Sequence, residues 1–113
     1  MRLTLYHRTS AAVAKAILRE GFRDGTGTYL THQEWTGVWL SDVPLDTNEG
    51  AEGDTLLQVK LSEFDIANFE WIEEGKGYRE WLIPARMIPL RSIRIIDEAA
   101  AERARLKRFR GVR

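Results

Sequence analysis

The sequence of 113 residues contains no cysteine and has only three prolines and two histidines. Without cysteine the chain has no disulfide framework, no thiol nucleophile and no thiolate metal site. No apolar run approaches the ~20 residues that a membrane-spanning helix needs. The first ten residues, MRLTLYHRTS, include no apolar segment long enough for a signal peptide. We therefore expect one soluble domain in the cytoplasm.

Positive and negative charges are equal in number, at 17 Lys/Arg and 17 Asp/Glu, but they are unevenly distributed. Residues 1–97 carry 11 Lys/Arg and 15 Asp/Glu, whereas residues 98–113 carry 6 and 2. We accordingly divide the chain into a single domain, 1–97, and a basic helical tail, 98–113. An acidic body argues against one broad nucleic-acid-binding face. The tail is the candidate contact for nucleic acid, for a partner or for the acidic body itself.

The N-terminal region has the clearest local pattern. Residues 2–7 alternate, with His7 on the same face as two leucines, which is typical of a half-buried strand. A helix follows in AAVAKAILRE, with Thr9 or Ser10 as its N-cap and Gly21 as its C-terminal stop. Its apolar stripe consists of Val13, Ala14, Ile17 and Leu18.

The remaining segments predict short strands with little helix between them. RDGTGTYLTHQEWTG is typical of a loop with a short strand at Tyr29–Thr31, and GVWLS, DTLLQVKL and RSIRIID of strands. FEWI and YREWLIP flank EEGKG and suggest a hairpin, while EAAAERARLKRFRGVR favours a helix. This order predicts an α+β domain with a mainly antiparallel, curved or split sheet, one N-terminal helix and a C-terminal helical tail.

Four stretches, taken in order, resemble the ADP-ribosyltransferase superfamily, in particular its histidine–tyrosine–glutamate branch. There a first strand ends in His-Gly-Thr or His-Gly-Ser before a helix, a strand resembling Gly-Ile-Tyr-Phe follows, and a glutamate sits on a later strand. This sequence has YHRTS, ILREGF, GVWLSD and YREWLIP in that order within residues 3–89. The resemblance implies an ADP-ribosyltransferase-like split sheet and NAD as the cofactor. It also implies cleavage of the nicotinamide–ribose bond, with ADP-ribose passing to a macromolecular acceptor or to water.

The resemblance further implies roles for individual residues. Glu80 would stabilise the oxocarbenium-like transition state and orient a ribose. His7 would hydrogen-bond the ribose on the adenosine side, and Arg8 would contribute backbone contacts to the nicotinamide amide. Trp39 would supply the flat wall on which nicotinamide stacks. The other expected NAD contacts are Thr9, Ser41 and Tyr29, the last as a second choice for the stacking wall.

Three positions depart from the family pattern. Arg8 replaces the usual glycine, which makes close approach of the backbone to nicotinamide harder. Trp39 replaces the usual tyrosine, which keeps the stacking face and loses the hydroxyl. Tyr78 stands where arginine-modifying members carry a second acid, so arginine is not the expected acceptor.

Two other functions remain open. RNA 2′-phosphotransferases begin with a similar strand, histidine motif and helix, also use NAD, and grip a phosphate with basic residues; the candidates here are Arg8, Arg79, Arg86 and Arg91. A non-catalytic binding module of the phage or toxin–antitoxin type could retain the fold without turnover. The departures at Arg8 and Trp39 favour that reading.

Each candidate residue also has an ordinary structural explanation. His7 at a strand end could simply bond a backbone carbonyl, Glu80 could be a solvated strand residue beside Arg79, and the four tryptophans could fill a core. No metal site is expected. His7 and His32 have no zinc spacing, and the acidic stretch Asp46–Asp54 has no EF-hand pattern.

Overall fold

The computed structural model describes residues 1–27, 35–45 and 53–110. The elements are β1 (Arg2–Thr9), α1 (Ala11–Glu20), β2 (Gly25–Gly27), β3 (Trp35–Ser41), β4 (Thr55–Ser62), α2 (Glu63–Ile66), β5 (Glu80–Ile83), β6 (Ile93–Ile96) and α3 (Glu98–Arg110). All pairings between these strands are antiparallel. The α+β class and the mainly antiparallel sheet are therefore confirmed. None of the described helices is both long and apolar enough to cross a membrane.

The sheet has the order β2-β3-β1-β4-β6, with β5 paired to β3. β1 pairs with β4 along its whole length, from Arg2↔Ser62 to Thr9↔Thr55. On its other edge, β1 shares a single register pair with β3 in the described residues, Tyr6↔Ser41. The ladder between β1 and β3 therefore stops one residue before His7.

Capping interactions explain why α1 begins and ends where the sequence predicts. The Ser10 hydroxyl accepts a hydrogen bond from the Val13 N–H at 3.2 Å, so Ser10 rather than Thr9 is the N-cap. Gly21 ends the helix with φ of 87°, and its N–H donates to the Ile17 carbonyl at 2.7 Å. The helix buries Ala14 and Ile17 against the sheet.

The main core lies between α1 and one face of the sheet. The alternation predicted for β4 is confirmed, since Leu57, Val59 and Leu61 all enter this core. Trp81 from β5 is completely buried beside them. The buried members of this core also include Leu5, Phe22, Val38, Leu40, Ile66, Ile83, Ile88 and Ile93.

The first half of the C-terminal helix α3 packs on the opposite face of the sheet. Ala101, which is 2% exposed, packs in a cluster with Tyr6, Leu56 and Ile96. The basic tail predicted from composition thus begins as a helix whose first half packs on the sheet beside Tyr6 of β1.

Three local predictions need correction. Gly25–Gly27 was predicted as a loop, but it forms β2, because its backbone pairs with Trp35–Gly37 of β3. The predicted hairpin of FEWI and YREWLIP is reduced to one bridge, Glu70↔Trp81, since β5 pairs with β3 instead. The short helix α2 was not predicted. The strand proposed at Tyr29–Thr31 lies outside the described residues.

Candidate functional site

His7 lies at the point where the β1–β3 ladder stops. Its Nδ1 atom is 2.8 Å from the Trp39 carbonyl oxygen, and its ring meets Phe22 edge-on with centroids 5.1 Å apart. A carbonyl oxygen can only accept, so Nδ1 carries the proton, and Nε2 of the neutral ring is an acceptor. The ordinary explanation of His7, a bond to a backbone carbonyl, therefore applies here. It still leaves one ring nitrogen for a ligand.

A cavity of about 430 Å³ opens beside His7, between α1, the end of β1 and β3. Small-molecule sites typically have volumes of ~300–1,000 Å³, so this one is large enough for part of a dinucleotide. Both His7 and Trp39 line it. The other lining residues are Val13, Ala16, Ile17, Glu20, Gly21, Phe22, Arg23, Gly25, Gly37 and Val38.

The protonation of His7 is coupled to folding. Burial lowers the pKa of His7 below its usual value of 6.5, and the hydrogen bond to Trp39 opposes this shift only partly. Below about pH 6.5, His7 binds more protons in the unfolded chain than in the folded chain. The stability due to neutral His7 is therefore complete above pH 6.5 and is lost as the pH falls through the lowered pKa. We expect the free energy of unfolding, measured by urea denaturation, to decrease as the pH is lowered from about 7 to about 5.

The variant His7→Gln provides the control for this pH dependence, because glutamine keeps a donor and does not titrate. Its free energy of unfolding should decrease less than that of the wild type over the same interval. Glu70 does not interfere, since Arg79 lowers the pKa of Glu70 below 4.5 and its effect appears only in stronger acid. Equal pH dependence in the two proteins would show that His7 is not the titrating group.

The residues next to His7 have other partners. The Arg8 side chain is 11% exposed; its Nε donates to the Leu45 carbonyl at 2.7 Å and its Nη1 to Glu98 at 3.1 Å. Thr9 ends β1 opposite Thr55. Neither Arg8 nor Thr9 is among the described residues that line the cavity. The Ser41 hydroxyl is buried and donates to the Val43 carbonyl at 2.7 Å.

Trp39 connects the His7 side of the site to the Glu80 side. Its carbonyl accepts the hydrogen bond from His7, and its ring packs edge-on against Trp71 with centroids 5.3 Å apart. The Trp71 N–H donates to the backbone carbonyl of Glu80 at 2.8 Å. Because Trp39 pairs with Leu82, the side chains of Trp39 and Glu80 belong to the same face of the sheet.

Glu80 is the first residue of β5 and pairs with Ser41. Its side chain is 14% exposed, so it is not a solvated strand residue, and its carboxylate forms an ion pair with Lys76. Glu80 is not among the described residues that line the cavity beside His7. The row Tyr6–Ser41–Glu80 spans two strand spacings, or about 10 Å. The structure thus places His7 and Trp39 at one cavity. The side chains of Trp39 and Glu80 lie on one face of the sheet, and the side chain of His7 lies on the opposite face.

An ion-pair network fixes the start of β5. The Arg79 guanidinium donates to both carboxylate oxygens of Glu70, at 3.0 and 2.9 Å, and to Glu63 at 3.0 Å. These contacts lower the pKa of Glu70 and raise that of Arg79. The Arg79 N–H also donates to Asp42 at 2.9 Å. Glu80, the next residue, is held in register by this network.

Several residues of the site were missed by sequence reasoning. Phe22 belongs to the stretch ILREGF but was given no role of its own, although its ring contacts His7 edge-on. Arg23 lines the cavity and is 86% exposed. Lys76 was treated as part of a turn, although a single basic residue between two glycines in an acidic segment was a usable signal. The expected contact Tyr29 lies outside the described residues.

Comparison of the chain with protein-family models, curated proteins and solved structures finds no match. Within residues 1–27, 35–45 and 53–110, no group of three or more His, Cys, Asp or Glu side chains could hold a metal ion. A functional assignment therefore depends on the geometry of His7, Trp39 and Glu80.

Proposed function

We propose that the protein binds NAD across the cavity beside His7 and cleaves its nicotinamide–ribose bond, transferring ADP-ribose to a macromolecular acceptor or to water. The fold would then be ADP-ribosyltransferase-like. The observation that carries the proposal is the position of Trp39. Its carbonyl holds His7 and its side chain shares a face with Glu80, so one strand residue links the two groups.

The residues supply the interactions that such a reaction needs. The His7 Nε2 atom can accept a hydrogen bond from a ribose hydroxyl while Nδ1 stays bonded to Trp39. The indole of Trp39 offers a π-face for the nicotinamide ring. As the glycosidic bond breaks, positive charge develops on the ribose, and the carboxylate of Glu80 stabilises that charge. The leaving group is neutral nicotinamide, and the acceptor attacks the sugar carbon that it leaves.

The cavity also fits the chemistry of NAD. Most of its lining is apolar, as Val13, Ile17 and Phe22 are, which suits the flat faces of a base and a pyridine ring. Arg23 lies at its edge, with the guanidinium 3.6 Å from Glu20. A guanidinium is the preferred partner of a diphosphate because it donates two hydrogen bonds in parallel.

Arg23 provides a test of where the diphosphate binds. Replacing Arg23 by alanine is expected to raise the KM for NAD by about fivefold, with kcat little changed, because the lost contact is exposed and the same in ground and transition states. Arg19→Ala is the matched control, since Arg19 also pairs with Glu20 but is not among the described residues that line the cavity. A KM that rises equally in both variants would assign the effect to general surface charge.

The reaction itself is tested by incubating the purified protein with NAD and measuring nicotinamide by chromatography. Binding is measured separately by calorimetry, so that slow turnover is distinguished from lack of binding. Release of nicotinamide, and labelling of an added cell extract by NAD that carries a tagged adenine, would support the proposal. If the protein neither binds NAD nor releases nicotinamide, the proposal is refuted.

A non-catalytic binding module is the second candidate, and one observation favours it. The carboxylate of Glu80 is already neutralised by Lys76. Binding of NAD without nicotinamide release, even when Lys76 is replaced, would support this alternative. The RNA 2′-phosphotransferase hypothesis is less well supported, because Arg8 and Arg79 already form ion pairs with carboxylates of the chain and so are not free to bind a phosphate.

A further inference from the structure

The side chain of Lys76 forms an ion pair with Glu80, the carboxylate to which the proposed function gives the catalytic role. The Lys76 ammonium contacts Oε2 of Glu80 and lies 3.6 Å from Oε2 of Glu73. It also lies 5.3 Å from the centre of the Tyr78 ring. The side chains of Lys76 and Glu80 are only 11% and 14% exposed. Two carboxylates and an aromatic ring therefore surround one cation.

This contact opposes the role proposed for Glu80. A carboxylate stabilises a developing positive charge through its negative field, and an ammonium in contact with it cancels much of that field a few ångströms away. The ammonium also covers one of the two oxygens that would hydrogen-bond a ribose hydroxyl. With Lys76 in place, Glu80 is a poor catalyst.

The chain around Lys76 allows it to leave. Lys76 lies between Gly75 and Gly77, in residues 71–79, where no helix or strand forms. Gly75 has φ of +85°, and an added side-chain carbon would meet nothing within 4 Å at either glycine. Glu73 remains as a partner for the ammonium once it moves away from Glu80. Displacement therefore exchanges one ion pair for another and need not leave a buried charge unpaired.

We propose that Lys76 is an autoinhibitory plug, which blocks Glu80 in the free protein and is displaced when NAD binds. The displacing group is the positively charged pyridinium ring with its ribose, which competes with the ammonium for the same carboxylate. The inference rests on the proposed function and adds its regulation: the catalytic carboxylate is uncovered only while NAD is bound.

The first test compares kcat/KM for nicotinamide release, measured at NAD concentrations well below KM. Lys76→Met keeps the length of the side chain and removes its charge, so it is expected to raise kcat/KM roughly tenfold, mainly by lowering KM, because NAD no longer has to displace the ammonium. Lys76→Arg keeps a cation and should stay inhibited. Lys60→Met, on the exposed surface of β4, should behave as the wild type. A wild type that releases nicotinamide as fast as Lys76→Met, or faster, would overturn the plug while leaving the proposed function intact.

The second test follows Lys76 without relying on turnover. Brief acetylation with an amine-reactive ester, read by mass spectrometry, should modify Lys76 much more slowly than the exposed Lys60 in the free protein. Excess NAD should bring the Lys76 rate toward that of Lys60. If calorimetry shows that NAD binds and the Lys76 rate stays unchanged, the plug is wrong. If no variant binds NAD or releases nicotinamide, the proposed function fails and the plug fails with it.

Discussion

Replacing Glu80 by glutamine is expected to lower the rate of nicotinamide release by about 10²–10³-fold, the loss typical of removing one preorganised electrostatic group from an active site. Glutamine has the same shape, so it removes the negative charge without opening a cavity. The dissociation constant for NAD should change little, because the substitution weakens the contact with the pyridinium ring and the contact with the competing Lys76 ammonium alike. Steady-state release at saturating NAD and calorimetric binding measure the two quantities.

Glu74→Gln is the matched control for this variant. It makes the same substitution on an exposed glutamate of the loop that precedes β5, and it should leave both kcat and binding unchanged. Thermal unfolding of both variants establishes that they are folded. If Glu80→Gln retained a rate within about twofold of the wild type, Glu80 would have no part in the chemical step.

Combining the Glu80 and Lys76 substitutions separates two explanations of any gain in rate. If Lys76 acts only by covering Glu80, Lys76→Met raises the rate when Glu80 is present and has no effect in the Glu80→Gln background. That non-additivity is the signature of residues in direct contact. A gain of equal size in both backgrounds would mean that Lys76 acts through something other than Glu80.

The parts of the fold that sequence reasoning predicted are those set by contacts between near neighbours. α1 depends on Ser10 and Gly21 at its own ends, and both signals are visible in the sequence. The alternation of β4 predicted its buried face. The pairing of β5 with β3 joins residues about forty positions apart and cannot be inferred from either segment alone. The apparent hairpin failed for that reason.

The candidate site likewise combines features that the local sequence predicts with contacts that it does not predict. The placement of His7 on β1 follows from the alternation of residues 2–7, although the strand continues two residues further, to Thr9. The specific contact, a ring nitrogen bonded to the Trp39 carbonyl where the ladder stops, depends on how β1 and β3 separate. The Lys76–Glu80 contact depends on the path of an irregular loop. Local patterns carry no information about such a path beyond the two glycines that permit it.

The largest expected effect on stability comes from Gly53→Ala. Gly53 has φ of +108°, and an added side-chain carbon would lie 2.3 Å from the carbonyl atoms of Thr9 and 2.8 Å from the nitrogen of Ser10. That peptide joins β1 to α1, and its ladder and cap hydrogen bonds hold it in place. Strained backbone and overpacking together are expected to lower the free energy of unfolding by about 3 kcal/mol. Proteins of this kind have only about 5–15 kcal/mol in total.

Gly75→Ala separates backbone strain from the steric clash at Gly53. Gly75 also has a positive φ, +85°, but a new side-chain carbon there would meet nothing within 4 Å. Its cost should be about 1 kcal/mol, from backbone strain alone. Urea denaturation followed by tryptophan fluorescence measures both variants. The difference between them measures how tightly Gly53 packs against the peptide that follows the strand bearing His7. Equal losses would mean that the junction between β1 and α1 shifts to accommodate the added carbon at Gly53.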